Sequence, residues 1–304
     1  MGTPEYSVPV LEMLIRNFDV VLVVTQPDKK VGRKMILTPC PVKQCAVSNN
    51  IPVLSFEKIK DEYSKILEYK PDIIITCAYG QIIPEELIYA PKYNTVNVHA
   101  SLLPKYRGGA PIHHAIINGE EEMGVTIMYT DKGMDSGDII KQRSFKVDIN
   151  DTYDIVSHKM SILGAELLLE VLPSIFDGTC SRIKQDNDKA VLAPVITRND
   201  EHINFADTAL NVHNKIRGLS SVPGGYAKLD DITIKILLSS LDSCNCTNQE
   251  CGTITRIDRD GIYVACLDKE VKILKLQVAG KKPMLVKDYL NGVNKESLIS
   301  KKFI

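Results

Sequence analysis

Thr95-Val96-Asn97-Val98-His99-Ala100-Ser101-Leu102-Leu103-Pro104-Lys105-Tyr106-Arg107-Gly108-Gly109-Ala110-Pro111 reads as a buried strand, a loop and the start of a helix. The strand covers residues 95–99, and Pro111 suits a first helical turn, where a missing N–H is no loss. Working outward, residues 20–25 and 72–76 are two more short buried strands, and 125–130 is a further one. Helices are expected over 9–16, 41–48, 60–68 and 153–176, the last with apolar residues at helical spacing for several turns. Short strands alternating with helices over residues 1–180 predict an α/β domain, a Rossmann-like doubly wound, mostly parallel sheet covered on both faces.

Past Gly178 the pattern breaks into a polar stretch, and residues 181–200 are read as a linker. A different rhythm follows over 201–304. One helix (206–219) precedes five short runs at 225–228, 232–238, 252–257, 261–267 and 271–278, separated by turn residues. These predict a small C-terminal β-barrel of the oligonucleotide-binding (OB-like) type, with a sandwich as the alternative. One feature departs from a doubly wound pattern: the chain begins at Met1-Gly2-Thr3-Pro4, a turn leading into a helix, where a central first strand is expected. A short apolar strand upstream of this start is the preferred reading.

The bulk numbers fit this division. A chain of 304 residues that is 44% hydrophobic can build two cores. No apolar run nears the roughly 18 residues of a membrane span, no secretory leader is evident, and Tyr6 stands where a myristoylation motif requires Ser or Thr. A cytoplasmic protein is expected. Eight cysteines lack the paired spacing of a structural zinc site and are read as reduced thiols, with no metal expected. The net charge of -1 argues for no particular partner, but residues 201–304 hold 15 Lys and Arg against 12 Asp and Glu. A polyanion would therefore be met locally, by the C-terminal part and by the loop Lys29-Lys30-Val31-Gly32-Arg33-Lys34, which has four cations and no acid.

Chemistry concentrates around the opening stretch. Ligands of open α/β sheets bind at the C-terminal ends of the strands. Side chains alternate along a strand, so Asn97 and His99 share a face, where an amide donor and an imidazole can converge on one carbonyl oxygen. The loop Asp131-Lys132-Gly133-Met134-Asp135-Ser136-Gly137-Asp138 can return a carboxylate to the imidazole. Singly, an Asn at a strand end, a His in a core and an Asp between glycines are ordinary structural residues; their order and spacing favour a shared site.

The pattern N-x-H-x-S-L-L-P-x-Y-R-G-x-A-P followed by G-x-D-x-G-D resembles the core of the 10-formyltetrahydrofolate-dependent formyltransferases. Further stretches are similar to the members that formylate methionyl initiator tRNA: Gly2-Thr3-Pro4-Glu5, Thr25-Gln26-Pro27-Asp28 with Gly32-Arg33, Ala78-Tyr79-Gly80 and Ala279-Gly280-Lys281-Lys282-Pro283-Met284. The resemblance implies a catalytic trio of Asn97, His99 and Asp135, and a folate-binding segment of Ser101, Leu102, Leu103 and Pro104. It also implies contacts to the acceptor end of tRNA from Arg33 in its basic loop, with Lys29, Lys30, Lys34, Lys281 and Lys282 as further cations. The implied co-substrate is 10-formyltetrahydrofolate and the implied partner an initiator methionyl-tRNA, bound by a monomer. The absence of Trp and the Ser220-Ser221-Val222 stretch before Pro223 depart from the family pattern. Two alternatives remain open: formylation of a small amine such as an amino sugar nucleotide or glycinamide ribonucleotide, and an inactive folate- or RNA-binding relative.

Overall fold

The computed structural model describes residues 1–32 and 35–304. Contacts divide the chain into one unit of Met1–Pro111, Glu122–Lys146 and Ser157–Pro194, and another of Ile112–Glu121, Val147–Val156 and Val195–Ile304.

The first unit opens with helix α1 (Val8–Asn17), whose proline lies in the first turn and which buries Val10, Leu11 and Met13. Strand β1 (Val23–Thr25) follows, then an exposed hairpin of β2 (Lys29–Val31) and β3 (Ile36–Thr38), helix α2 (Pro41–Ser48) and strand β4 (Val53–Ser55). β1 and β4 pair in parallel. Leu11, Val23, Val42 and Ala46 form the core beneath them. The strand expected over 20–25 is shorter than read. Val23 N–H donates to the carbonyl of Pro52, a residue with no N–H to continue the ladder toward residue 20. The helix expected over 60–68 is two short turns, α3 (Ile59–Glu62) and α4 (Ser64–Leu67).

Strand β5 (Ile74–Thr76), helix α5 (Glu85–Tyr89) and strand β6 (Thr95–His99) lead to helix α6 (Pro111–Ile117). Strands β7 (Glu122–Tyr129) and β8 (Ile139–Lys146) then precede helix α7 (Tyr153–Phe176). The sheet order is β5-β6-β7-β8, with β5 parallel to β6 and both β7 and β8 antiparallel to their neighbours. The nine residues joining β7 to β8 are too few for a parallel crossover, which needs a dozen or more. Where the sequence suggested a central strand ahead of Gly2, Met1 and Gly2 lie between β1 and β5: Gly2 N–H donates to Val24 O at 3.1 Å and Cys77 N–H to Met1 O at 2.9 Å. A cavity of about 480 Å3 lined by Leu11, Phe18, Val21, Ile66, Ile73 and Phe176 adjoins them.

The register of β6 is fixed from its covered face. Val96 and Val98 are 0% and 2% exposed, and full burial of such a side chain contributes about 1.5–3 kcal/mol. A slip of one residue would drive Asn97 and His99 into that core and the valines out of it.

In the second unit helix α8 (Ala209–Leu219), capped by the Thr208 hydroxyl, packs its apolar stripe on a sheet of β9 (Gly225–Leu229), β10 (Ile232–Ser240), β11 (Ile254–Ile257), β12 (Ile262–Ala265), β13 (Glu270–Val278) and β14 (Met284–Leu285). Helix α9 (Val286–Tyr289) follows. The strand path is β11-β12-β13-β10-β9, all antiparallel, with β14 on β13. Its two edges are joined by the C-terminal tail: Phe303 bridges Leu229 beside β9, and Lys302 bridges Thr253 beside β11. This closure makes the antiparallel unit barrel-like. All eight cysteines are free thiols.

Candidate active site

β6 presents Asn97 and His99 on the face opposite its buried valines. His99 is 6% exposed, and its Nε2 lies 3.0 Å from the carbonyl of Tyr106. A carbonyl only accepts, so Nε2 carries a hydrogen, and Nδ1 is the position where the ring gains or loses a proton. That atom is 3.6 Å from Oδ1 of Asp135. The separation is long for a direct hydrogen bond, a looseness common before substrate draws a site together. Two residues back, Asn97 Oδ1 accepts from the Thr76 hydroxyl at 3.0 Å, so its NH2 group is the end left to donate.

Asp135 reaches this face by an unusual route. β7 is antiparallel to β6, so the loop after it starts beside the far end of β6, where Thr130 N–H donates to Thr95 O at 2.8 Å. The loop must fold back over the sheet to bring residue 135 to His99. Asp135 has φ +48°, a conformation aspartate tolerates, and its Oδ2 accepts the N–H of Gly108 at 2.8 Å. Gly108 has φ +123°, and a Cβ there would stand 2.7 Å from the carbonyl of Ala193, so only glycine fits.

Residues 10–172 match the profile described as formyl transferase, and residues 195–294 match formyl transferase, C-terminal domain. The methionyl-tRNA formyltransferase of Staphylococcus aureus strain MW2 is 48% identical over 307 residues, covering 100% of this chain and 98% of that protein. The chain belongs to the formyl transferase family. Solved structures agree in fold. The sugar 3N-formyl transferase WlaRD, crystallised with dTDP and 5-N-formyl-THF, superposes with TM-score 0.65 at 24% identity over 92% of this chain and 97% of that one. An N-formyltransferase from Helicobacter canadensis, in complex with folinic acid and dTDP-3-aminofucose, gives the same TM-score and identity over 90% and 96%.

Against this formyltransferase fold, the other expected residues fall in three places. Ser101 to Pro104 form a tightly braced loop: Ser101 Oγ donates to Lys105 O, Thr126 Oγ1 donates to Ser101 O and accepts from Leu103 N–H, and Gln142 Nε2 donates to Leu103 O. Leu103 is buried, and Leu102 and Pro104 are half-buried, so the loop offers a ligand apolar surface more than free polar groups. Lys29 and Lys30 are exposed on β2, while Arg33 and Lys34 lie outside the described residues. Lys281 and Lys282 are exposed on the turn between β13 and β14.

Three partners escaped the sequence reading. Thr76 fixes Asn97. Gln185 donates from Nε2 to the carbonyls of Asp135 and Gly137, both at 2.8 Å, and its Oε1 accepts from Arg107 Nε and Nη2 at 3.0 and 2.8 Å. Arg107, 7% exposed, also donates to Asn187 Oδ1. Arg107 lay within the quoted motif and gave a signal. Gln185 sat in a polar stretch indistinguishable by composition from a linker.

Proposed function

We propose that this chain transfers the formyl group of 10-formyltetrahydrofolate to the amino group of methionine esterified on initiator tRNA, giving N-formylmethionyl-tRNA. The observation that carries the reading is the 3.6 Å approach of His99 to Asp135 on the face shared with Asn97. The near-full-length similarity to the Staphylococcus aureus enzyme supports the choice of acceptor.

An α-amino group has an ordinary pKa of about 7.7–8.0, and esterification of the adjacent carboxyl lowers it, so a useful neutral fraction exists without a strong base. The amine nitrogen attacks the formyl carbon and the carbonyl electrons move to oxygen. The Asn97 NH2 faces that developing charge and donates to it, while His99, its Nε2–H held by the carbonyl of Tyr106, offers Nδ1 for proton transfer. Collapse breaks the bond from carbon to N10 of the folate, which leaves as tetrahydrofolate after taking a proton, while the attacking nitrogen loses one through water to the His99–Asp135 pair. Ser101 to Pro104 supply a wall for the folate. Lys29, Lys30, Arg33, Lys34, Lys281 and Lys282 meet phosphates of the tRNA, a sequence-independent and salt-dependent contribution. The enzyme works as a cytoplasmic monomer without a metal.

Single-turnover formylation of methionyl-tRNA by Asn97→Ala, His99→Ala and Asp135→Ala is the test. Each substitution should slow chemistry, with Asn97→Ala losing about 10²- to 10³-fold, the usual cost of one oxyanion donor. Near-normal rates in all three folded variants would overturn the assignment.

A further inference from the structure

Strand β5 is Ile74-Ile75-Thr76, and the register of the sheet decides what its one hydroxyl can touch. β5 runs parallel to β6 with Thr76 opposite Asn97, so the two side chains stand on the same face, one strand apart. On its other flank Asn97 lies opposite Met128 of antiparallel β7. Met128 is 1% exposed and packs with Leu103 and Ile139, and a thioether is at most a weak acceptor. Of the two cross-strand neighbours, only Thr76 can tell one end of the Asn97 amide from the other.

The two ends do opposite things. A side-chain amide is nearly symmetric in shape, with an acceptor oxygen on one side and a donor NH2 on the other. Turned one way it stabilises a developing oxyanion; turned the other it sets a carbonyl oxygen against that charge. Thr76 Oγ1 lies 3.0 Å from Asn97 Oδ1 and 3.4 Å from the carbonyl of Val96. The hydroxyl has one hydrogen, and the shorter line runs to the amide oxygen. Reversing the amide would make the hydroxyl an acceptor and push its hydrogen onto the longer contact with Val96.

The hydroxyl is well placed to hold that choice. Thr76 is 4% exposed and β-branched, which leaves its hydroxyl few directions and little water to turn toward. Among the described residues, Asn97 Nδ2 donates to no protein acceptor, so both of its hydrogens remain for what enters the site.

We propose that Thr76 is a positioning residue for formyl transfer: its buried hydroxyl holds the Asn97 amide with NH2 toward the reacting carbonyl oxygen, so the oxyanion donor is set before substrate arrives. A donor fixed in advance needs no reorganisation at the moment of reaction. The inference rests on the formyl transfer proposed above and deepens it.

The test separates shape from hydrogen bonding. Thr76→Val keeps the branched side chain and removes the hydroxyl, whereas Thr76→Ser keeps the hydroxyl and removes a buried methyl. Both are compared with the parent in single-turnover formylation of methionyl-tRNA at saturating 10-formyltetrahydrofolate, with Tm recorded alongside. Thr76→Val should slow transfer about three- to tenfold, the net worth of one neutral hydrogen bond, and leave KM for both substrates unchanged. Thr76→Ser should transfer at close to the parental rate even where its Tm falls. Introduced into Asn97→Ala, Thr76→Val should cost nothing more, because no amide is left to orient. A Ser variant slower than the Val variant would mean that the residue acts by packing. An equal further loss in the Asn97→Ala background would mean that the hydroxyl acts through the strand, and a parental rate in Thr76→Val would show that the amide orients itself. Each of these outcomes overturns the proposal while leaving the reaction standing. A parent chain that formylates no methionyl-tRNA would instead sink the reaction, and this role with it.

Discussion

At the scale of single residues, the site depends on holding a carboxylate that the topology does not deliver by itself. Asp135 lies mid-loop with a left-handed backbone; Gly108 N–H holds its carboxylate, and Gln185, itself held by the guanidinium of Arg107, holds its backbone carbonyl. Hydrogen bonds to a charged group contribute about 1.5–3 kcal/mol, so the Arg107–Gln185 pair is a firm anchor for the two loop carbonyls. Under the proposed mechanism, Gln185→Ala should lower kcat about tenfold through the loosened His99–Asp135 geometry, with little change in KM for either substrate. The near-isosteric Gln185→Glu should not rescue it: a carboxylate can still accept from Arg107 but has no N–H for Asp135 O and Gly137 O. Pre-steady-state formylation of both variants would check this, and wild-type turnover by Gln185→Glu would show that the loop holds itself in place. Asn97 and His99 were legible in the sequence because strand alternation alone puts them on one face. Asp135 was reachable only as one of several acids in its loop until the family resemblance singled it out. Gln185 was not legible, because a hydrogen bond across 50 positions leaves no local pattern.

At the scale of elements, β6 carries the two residues that matter and α7 backs it at very close range. A Cβ built on Gly164 of α7 would stand 2.8 Å from Val98 Cγ1 and 3.5 Å from Val125 Cγ1, so this glycine is what lets the helix lie against the strands. Gly164→Val should force β6 and β7 away from the helix, costing about 1–3 kcal/mol as overpacking does, despite the better helix propensity of most residues over glycine. Denaturant melts should show the lost stability, and the rate of formyl transfer should fall with it, because Asn97 and His99 ride on the displaced strand. A variant as stable as the parent would mean the helix can shift at no cost. The same elements show what sequence reading can and cannot reach. Thr95–His99, Pro41–Ser48 and Tyr153–Phe176 were read with the bounds they have, and the helix at Pro111 with its start, since each is marked by its own periodicity or by a proline at its start. The antiparallel course of β8, the two-residue β14 and the tail that joins β9 to β11 were not, because pairing direction and edge closure depend on partners distant in sequence.

At the scale of the molecule, a net charge near zero gives no strong self-repulsion around neutral pH, so the response to mild acid should come from particular buried groups. Two histidines of the second unit supply it. Burial, aided by the neighbouring His114, lowers the pKa of His113 from 6.5 to about 4, where its ring meets Tyr153 edge-on at 4.0 Å between centroids. Burial also lowers that of His213, which sits between Ser239 Oγ and the carbonyl of Ile149. A lowered folded-state pKa means that the unfolded chain takes up the proton first. The contribution is therefore complete above pH 6.5 and is lost as pH falls through 6.5 toward 4, amounting for His113 to roughly 3 kcal/mol. Carboxylates held low by hydrogen bonds, such as Asp258 beside Lys272 and Tyr263, titrate in the unfolded chain near 4, so their share of acid sensitivity begins lower on the scale. Thermal melts between pH 7.5 and 5.0 thus report mainly on the histidines. The parent should lose Tm chiefly below pH 6.5, and His113→Phe, which keeps an aromatic ring against Tyr153 but binds no proton, should lose distinctly less while retaining a residual slope from His213. Parallel Tm-versus-pH curves for the two proteins would show that His113 is as easily protonated in the fold as in the unfolded chain.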